Sequence, residues 1–142
     1  VVKLDKKKEE AKRKRWNAIS ESAAKQSKRL IIPEVTEVMN FSQACALASS
    51  FDRNFIPYEL AQGMEQTRQE FQKISPGMEA GIFIGPEGGF DEEEIRTAVE
   101  AGIRPVTLGR RILRTETAGL YVLSVLGFLL EDREDGAGDT AF

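Results

Sequence analysis

The sequence has 142 residues, of which 41% are apolar, 20 are Lys or Arg, 23 are Asp or Glu, one is cysteine and none is histidine. This length and apolar fraction predict one compact domain and exclude two full ones. The absence of histidine excludes Ser-His-Asp and Cys-His triads and removes the commonest metal ligand, while a single Cys45 excludes an intrachain disulfide. We therefore expect no metal, a packed thiol and a reducing, cytoplasmic environment.

Charge is distributed unevenly along the chain. Residues 1–30 contain eleven Lys or Arg and four Asp or Glu, a net charge of +7, which leaves −10 on the other 112 residues. A basic segment on an acidic body indicates a polyanionic partner, although a solvated helix with ion pairs four residues apart gives the same pattern. The longest uncharged stretch near the end, residues 117–130, is shorter than the ~20 apolar residues of a membrane span, so we expect no membrane association.

The first half of the chain predicts a strand over residues 1–4 and then a basic helix. Trp16, Ile19 and Ala23 follow helical spacing and predict its buried stripe, and Pro33 predicts its end. Three further elements are expected before the middle of the chain: a helix with apolar positions 41, 44, 45 and 48, a strand over 54–58 and an exposed polar helix over 62–74.

In the second half, the pattern predicts a buried strand over 81–84, a glycine-rich loop over 85–89 and a helix opened by a capping box between Asp91 and Glu94. That helix buries Ile95, Ala98 and Val99 and ends at Gly102. A strand over 104–108 and a loop over 109–114 lead to a last helix that is apolar on nearly all sides, which requires surrounding protein, with another subunit as one source. Residues 132–142 predict a disordered acidic tail.

Alternating strands and helices predict an α/β fold with a mostly parallel sheet and helices on both faces. Ligands of such sheets bind at the carboxyl ends of the strands. In this chain those ends are the loops after Pro57, Ile84 and Leu108.

The first of two unusual motifs is IGPEGGF, which starts at Ile84. Its glycines permit close approach of backbone to a ligand, but it lacks the Lys of a Walker loop and the spacing of a dinucleotide fingerprint. Glu87 and the acidic residues that follow would repel a phosphate, so a neutral or cationic ligand fits better. A plain strand-to-helix connection remains the alternative.

The second motif is LGRRILRTETAG, with Arg110, Arg111 and Arg114 in five residues. Arginine binds phosphates or stabilises an oxyanion but is no base at neutral pH. Glu116 could orient Arg114, cap the helix or accept a proton, and simple capping by Thr115 and Glu116 stays open. Earlier in the chain, QSKRLIIP places cations at a helix end, where they also suit the helix dipole.

Together, RWNAISESAAKQSKRLIIPEV, IGPEGGFDEEEI and TLGRRILRTETAG resemble the RsmE family, bacterial enzymes that methylate N3 of a uridine in small-subunit (16S) ribosomal RNA. These enzymes belong to the SPOUT methyltransferases. The resemblance implies that residues 1–131 form a parallel α/β domain with a carboxyl-terminal trefoil knot, an exception to the rule against knots. It also implies S-adenosylmethionine as cofactor and dimerisation through helices of this domain.

In such enzymes three loops hold the cofactor in the knot, largely through backbone groups. The cofactor-binding residues that the resemblance assigns are Ile56, Pro57, Tyr58 and Glu59 in the first loop, Ile84, Gly85, Pro86, Glu87, Gly88 and Gly89 in the second, and Leu108, Gly109, Ile112, Leu113, Arg114, Thr117 and Ala118 in the third.

For catalysis, our hypothesis is that Arg114 stabilises the developing uracil anion. Glu116 would orient the Arg114 side chain or accept the proton that leaves uracil N3. The expected partner is small-subunit ribosomal RNA or the assembled subunit. Its phosphates would contact the cations Arg15, Lys25, Lys28 and Arg29.

The chain departs from the family at its start. The resemblance implies an amino-terminal PUA-like β-barrel that binds RNA, and we expect that this barrel and the first strand and helix of the methyltransferase domain are missing from the sequence. Two alternatives stay open: another SPOUT reaction, such as ribose 2′-O methylation, which would use the same cofactor loops, and a non-catalytic RNA-binding or assembly module that retains the fold.

Overall fold

The structure is a computed structural model that describes residues 5–61, 63–131 and 133. The predicted strand at residues 1–4 lies outside these residues, as does the predicted tail except for Arg133. The chain divides into two compact units, the first ending at Asn40 and the second beginning at Phe41.

The amino-terminal unit consists of helix α1, Lys6–Gln26, and the segment after it. Polar side chains of α1 hold that segment. The Asn17 amide donates to the Val35 carbonyl at 3.0 Å and its Oδ1 accepts from the Val35 N–H at 2.7 Å. Nearer the start of α1, Glu9 Oε1 accepts from the Val38 N–H at 3.2 Å.

Two expectations for α1 are wrong. The helix ends at Gln26, well before Pro33, because Lys28 adopts a left-handed backbone with φ of 60° and the Arg29 N–H donates to the Ala24 carbonyl at 2.9 Å, which is a Schellman ending. The predicted buried stripe is exposed as well: Trp16 and Ile19 are 44% and 55% exposed, and Ala24 is buried where Ala23 was expected. The segment beside the helix is held by polar groups, which leaves that stripe uncovered within the unit.

The second unit is built on three parallel strands in the order β2-β1-β3. In chain order its elements are α2 (Phe41–Ala48), β1 (Arg53–Pro57), α3 (Met64–Gln72), β2 (Ala80–Ile82), α4 (Glu92–Glu100), β3 (Arg104–Val106) and α5 (Thr115–Leu130). The predicted α/β fold with a parallel sheet is thereby confirmed. The trefoil knot stays a prediction.

Helices cover both faces of the sheet because neighbouring strand residues point to opposite sides. Ile56 packs with residues of α2 and α4, including Cys45 and Ala98. Phe55 packs on the other face, with residues of α3 and α5 such as Phe71 and Val122. The rings of Phe55 and Phe71 meet edge to face at a centroid distance of 5.1 Å.

Helix α4 begins as the sequence predicts. Asp91 Oδ1 accepts from the Glu94 N–H at 2.8 Å and Glu94 Oε2 accepts from the Asp91 N–H at 3.0 Å, which confirms the capping box. Gly102, with φ of 83°, follows its end. Val99 was expected to be buried but is 51% exposed, since the nine-residue helix turns only a narrow face, Ile95 and Ala98, to the core.

Helix α3 differs from expectation, whereas the enclosure of helix α5, for which another subunit was one expected source, stays a prediction. The polar α3 was predicted to be exposed, yet Thr67, Glu70 and Phe71 are buried. Helix α5 was predicted to be enclosed, and within this chain one face remains open, with Leu123 and Phe128 at 67% and 84% exposed. None of the described helices is long and apolar enough to cross a membrane.

Candidate active site

A cavity of about 860 Å³ lies at the carboxyl ends of the three strands. Each strand contributes the loop that follows it, and the starts of α3 and α5 complete the wall. The sequence motifs therefore converge on one place, because parallel strands bring their carboxyl ends to the same edge of the sheet.

The first loop continues from β1 into Tyr58, whose N–H donates to the Val106 carbonyl at 3.0 Å. This bond extends the pairing of β1 with β3 by one residue. Pro57, Tyr58 and Glu59 all line the cavity.

The second loop is shaped by close packing on Gly85. A Cβ at this position would lie 3.0 Å from the ring of Phe90, so a larger residue would displace that ring. The Phe90 ring is fixed in turn by Phe41, with centroids 5.8 Å apart. A turn follows, in which the Gly89 N–H donates to the Pro86 carbonyl at 2.9 Å.

The third loop requires glycine at position 109, where φ is 117° and an L side chain would be strained. The Gly109 N–H donates to Thr107 Oγ1 at 3.2 Å. The loop ends at α5, and there the Thr115 hydroxyl donates to the Gly85 carbonyl at 2.8 Å. This bond ties the third loop to the second.

Both signs of charge line the cavity. Glu59 and Glu87 supply carboxylates, and α3 and the third loop supply three arginines, Arg68, Arg110 and Arg111. Arg68 also pairs with Glu65 at 3.3 Å. Apolar surface comes from Ile112 and Leu113 among others, so the wall suits a ligand with a flat apolar part and a charged part.

Most of the predicted cofactor residues line this cavity. The exceptions are Ile56, which is fully buried in the core, and Gly88, Arg114 and Thr117, which do not line it. The lining residues that were predicted are Pro57, Tyr58, Glu59, Ile84, Gly85, Pro86, Glu87, Gly89, Leu108, Gly109, Ile112, Leu113 and Ala118.

Sequence reasoning missed the contribution of α3, which brings Met64 and Arg68 to the wall. Met64 and Arg68 are four residues apart and therefore lie on one helix face, and this spacing could have predicted that they contribute together. The other lining residues outside the predicted set are Ala61, Gly63, Phe90, Thr107, Arg110, Arg111 and Thr115.

Arg114 and Glu116, the candidate catalytic pair, lie at the start of α5. Arg114 stands between the lining residues Leu113 and Thr115, and its carbonyl accepts from the N–H groups of Thr117 and Ala118 at 2.9 and 2.8 Å. Both candidate side chains are exposed.

The candidate RNA-binding residues Arg15, Lys25, Lys28 and Arg29 are all exposed in the amino-terminal unit. Lys25 donates to Glu21 at 2.7 Å, and this bond holds the pKa of the Glu21 carboxyl below its usual value.

Cys45 is 3% exposed and packs in the cluster around Ile56, and burial raises the pKa of its thiol. The expected packed thiol is confirmed. No group of three or more Cys, Asp or Glu side chains within residues 5–61, 63–131 and 133 is placed to hold a metal ion.

Comparison with known proteins decides the family. A model described as an RNA methyltransferase domain matches residues 1–127. The chain belongs to this family of RNA methyltransferase domains. It is 40% identical over 139 residues to ribosomal RNA small subunit methyltransferase E of Bacillus subtilis, an alignment that covers 92% of this chain and 52% of that protein. The methyltransferase of the same name from Mesomycoplasma hyopneumoniae is 37% identical over 115 residues, 81% of this chain and 48% of that one.

Solved structures agree with this family. The methyltransferase E of Neisseria gonorrhoeae bound to S-adenosyl methionine matches with a TM-score of 0.74 and 33% identity, covering 87% of this chain and 50% of that one. A putative methyltransferase of Legionella pneumophila in complex with the same cofactor matches with a TM-score of 0.79 and 35% identity over 89% and 50%. The resemblance drawn from the motifs is confirmed, and the chain spans about half the length of the curated relatives it matches.

Proposed function

We propose that this RNA methyltransferase domain uses S-adenosylmethionine to methylate N3 of a uridine in bacterial small-subunit (16S) ribosomal RNA. The observation that carries the proposal is the convergence of the three loops that follow the strands, two of which carry the sequence motifs, on one cavity of about 860 Å³. Relatives named ribosomal RNA small subunit methyltransferase E support the proposed substrate. Related structures that hold S-adenosyl methionine support the proposed cofactor.

The cavity fits S-adenosylmethionine, which supplies a methyl group on a positively charged sulfur. Ile112 and Leu113 offer an apolar slot for a flat adenine ring, and glycine-containing loops expose backbone groups for hydrogen bonds. Glu59 and Glu87 suit the positively charged sulfur and amino group of this cofactor, and the lining arginines suit its carboxylate.

In the proposed reaction the chain positions the uracil ring and stabilises the charge on it. Uracil N3 carries a proton at neutral pH, which must leave before or while the new N–C bond forms. Arg114 stabilises the resulting negative charge on the base. Glu116 orients Arg114 or takes the proton, since this chain has no histidine and a carboxylate or water takes the proton if no group of the substrate or of a partner does.

The assembly we propose is a homodimer that includes the open face of α5. Leu120, Leu123 and Phe128 are 69%, 67% and 84% exposed there, and exposed apolar patches of this kind mark protein contacts.

Three further features are proposed from the family. The domain forms the family's trefoil knot, and the full-length enzyme carries a companion RNA-binding barrel. The enzyme acts in the cytoplasm, where small subunits are assembled.

Two measurements test the proposed reaction. Calorimetry on this chain is expected to show S-adenosylmethionine binding. The protein in its full cellular length is then incubated with labelled cofactor and either bare 16S RNA or small subunits that lack the modification, and the methylated nucleoside is identified by mass spectrometry. We expect 3-methyluridine. A 2′-O-methyl nucleoside would favour the other SPOUT reaction, and a chain that binds no cofactor would favour a non-catalytic module.

RNA contact by α1 is tested through salt dependence. Charge reversal at Arg15, Lys25, Lys28 or Arg29 should each reduce the slope of log affinity against log salt by about 0.7 to 0.9, because each phosphate contact releases counterions. The matched control is Arg96→Glu, an exposed arginine on α4 that pairs with Glu93. Slopes that stay equal to that of the unmodified protein contradict this assignment.

A further inference from the structure

A buried hydroxyl of α3 holds the end of strand β3. Thr67 is 3% exposed, and its Oγ1 donates to the Thr107 carbonyl at 2.9 Å while accepting from the Thr107 N–H at 3.2 Å. One hydroxyl can do both, since it has one proton and two lone pairs. Thr107 directly follows β3, an edge strand of the described sheet, so Thr67 occupies the place of a pairing strand residue.

The connection continues into the third loop. Thr107 Oγ1 accepts from the Gly109 N–H at 3.2 Å and donates to the Gly109 carbonyl at 3.3 Å. Two successive hydroxyls therefore fix both backbone groups of Thr107 and both of Gly109. Gly109 has φ of 117°, one of several conformations open to glycine, so these hydrogen bonds select it.

We propose that Thr67 is a positioning residue that preorganises the Thr107–Gly109 backbone for the cofactor. This inference rests on the proposed function, because it assigns the third loop to S-adenosylmethionine. Thr67 does not itself line the large cavity, whereas Met64 and Arg68 on the same helix do. It therefore acts through Thr107 and Gly109, and it aligns α3 with the loop at the same time.

The physical reason is the cost of ordering a loop when a ligand binds. A loop that already has its bound conformation loses less conformational freedom on binding and so binds more tightly. Without the Thr67 hydroxyl, Thr107 would exchange its partners for water, and Gly109 would sample other conformations. A threonine that only packs α3 against the sheet would instead affect stability and leave affinity unchanged.

The test compares Thr67→Val, which keeps the shape and removes the hydroxyl, with Thr67→Ser, which keeps the hydroxyl. Thr97→Val is the matched control, because the Thr97 hydroxyl also donates to a backbone carbonyl, that of Glu93 at 2.9 Å, on the exposed surface of α4. Calorimetry gives the Kd for S-adenosylmethionine at a temperature where every variant is folded. Amide hydrogen exchange at Thr107 and Gly109 reports the loop directly.

We expect T67V to weaken S-adenosylmethionine binding about tenfold and to speed exchange at Thr107. T67S should bind within about threefold of the unmodified chain, and T97V should bind equally well. In the full-length enzyme T67V should raise KM for the cofactor while kcat changes less than about twofold. Equal affinity of T67V and the unmodified chain would overturn the inference, as would an equal loss in T97V.

A second variant covers the case in which T67V does not fold. Thr107→Val leaves Thr67 in place and removes the hydroxyl that holds Gly109, so it should weaken cofactor binding about threefold. Unchanged affinity in T107V would then refute the positioning role. If the unmodified chain binds no S-adenosylmethionine, the proposed function fails, and unchanged exchange at Thr107 in the folded variant would separately reject the hydroxyl link.

Discussion

The two ends of the same three-stranded sheet are built differently. At the carboxyl end the chain leaves the strands through glycine-containing loops that surround a cavity of about 860 Å³. At the amino end there is a cavity of only about 210 Å³, which lies beside the buried carboxylate of Glu70. Glu70 accepts from Lys73 at 2.8 Å and lies 3.5 Å from Arg104.

Asn54 closes the amino end further. It is 8% exposed, and its amide donates to the Ala48 carbonyl at 2.7 Å. Its Oδ1 lies so close to Gly81 on β2 that a Cβ there would clash with it. The carboxylate at this end is buried and paired, whereas the carboxylates of Glu59 and Glu87 at the other end line the cavity. A charged residue at the strand ends therefore indicates ligand binding only when it lies beside a cavity of ligand size.

Replacing one arginine at each end should give the largest difference between the two ends, measured as the rate of RNA methylation. Arg114→Ala at the carboxyl end should lower kcat for RNA methylation about 100-fold, because removal of a group that stabilises developing charge typically has this effect. Arg104→Ala, at the start of β3, should leave the rate unchanged and lower stability slightly. Rates are measured with the full-length enzyme on small subunits, and a full rate in R114A would reject its catalytic role.

Two glycines with positive φ give the next largest contrast. Gly109→Ala strains the third loop and should weaken S-adenosylmethionine binding about tenfold, since a non-glycine residue in such a conformation costs about 1–3 kcal/mol. Gly102→Ala carries the same strain at the amino end, with φ of 83°. It should lower the melting temperature and keep the affinity. Calorimetry and thermal unfolding of both variants check this, and equal affinities would show that the third loop does not hold the cofactor.

The sequence predicted the carboxyl end well because its signals are local. Glycines and a proline within IGPEGGF specify a loop, and the Asp91–Glu94 capping box marks the following helix without reference to any distant residue. The start of α5 at Thr115 was predicted for the same reason. Their convergence on one cavity followed from the parallel order of the strands.

What the sequence did not predict depends on residues far apart in the chain. Thr67 bonds to Thr107, 40 residues away, so its polar helix looked exposed. Glu70 was missed because glutamate is rarely buried unless paired, and of its partners Lys73 and Arg104 the second lies far along the chain, at the start of β3. On α1, Trp16 and Ile19 share one helix face as predicted, but the prediction that this face is buried is wrong. The segment after the helix is held by polar side chains of α1, such as that of Asn17.

The smallest expected effect concerns Glu70 at the amino end. Its hydrogen bond from Lys73 holds its pKa below the usual value, with Arg104 and Arg53 contributing, although burial acts in the opposite direction. Glu70→Gln should lower the free energy of unfolding by about 1 kcal/mol near pH 7 and leave cofactor affinity unchanged.

The contribution of Glu70 to stability should depend on pH. Because its carboxyl has a lower pKa in the folded chain, this contribution is fully present above the ordinary pKa of glutamate, about 4.3, and is lost as pH falls through the folded value. Urea unfolding of the chain and of E70Q between pH 7 and pH 3 should therefore give converging stabilities, while the exposed control Glu93→Gln stays close to the unmodified chain throughout. A stability difference that persists unchanged in acid would mean that the charge of Glu70 is not what stabilises this end of the sheet.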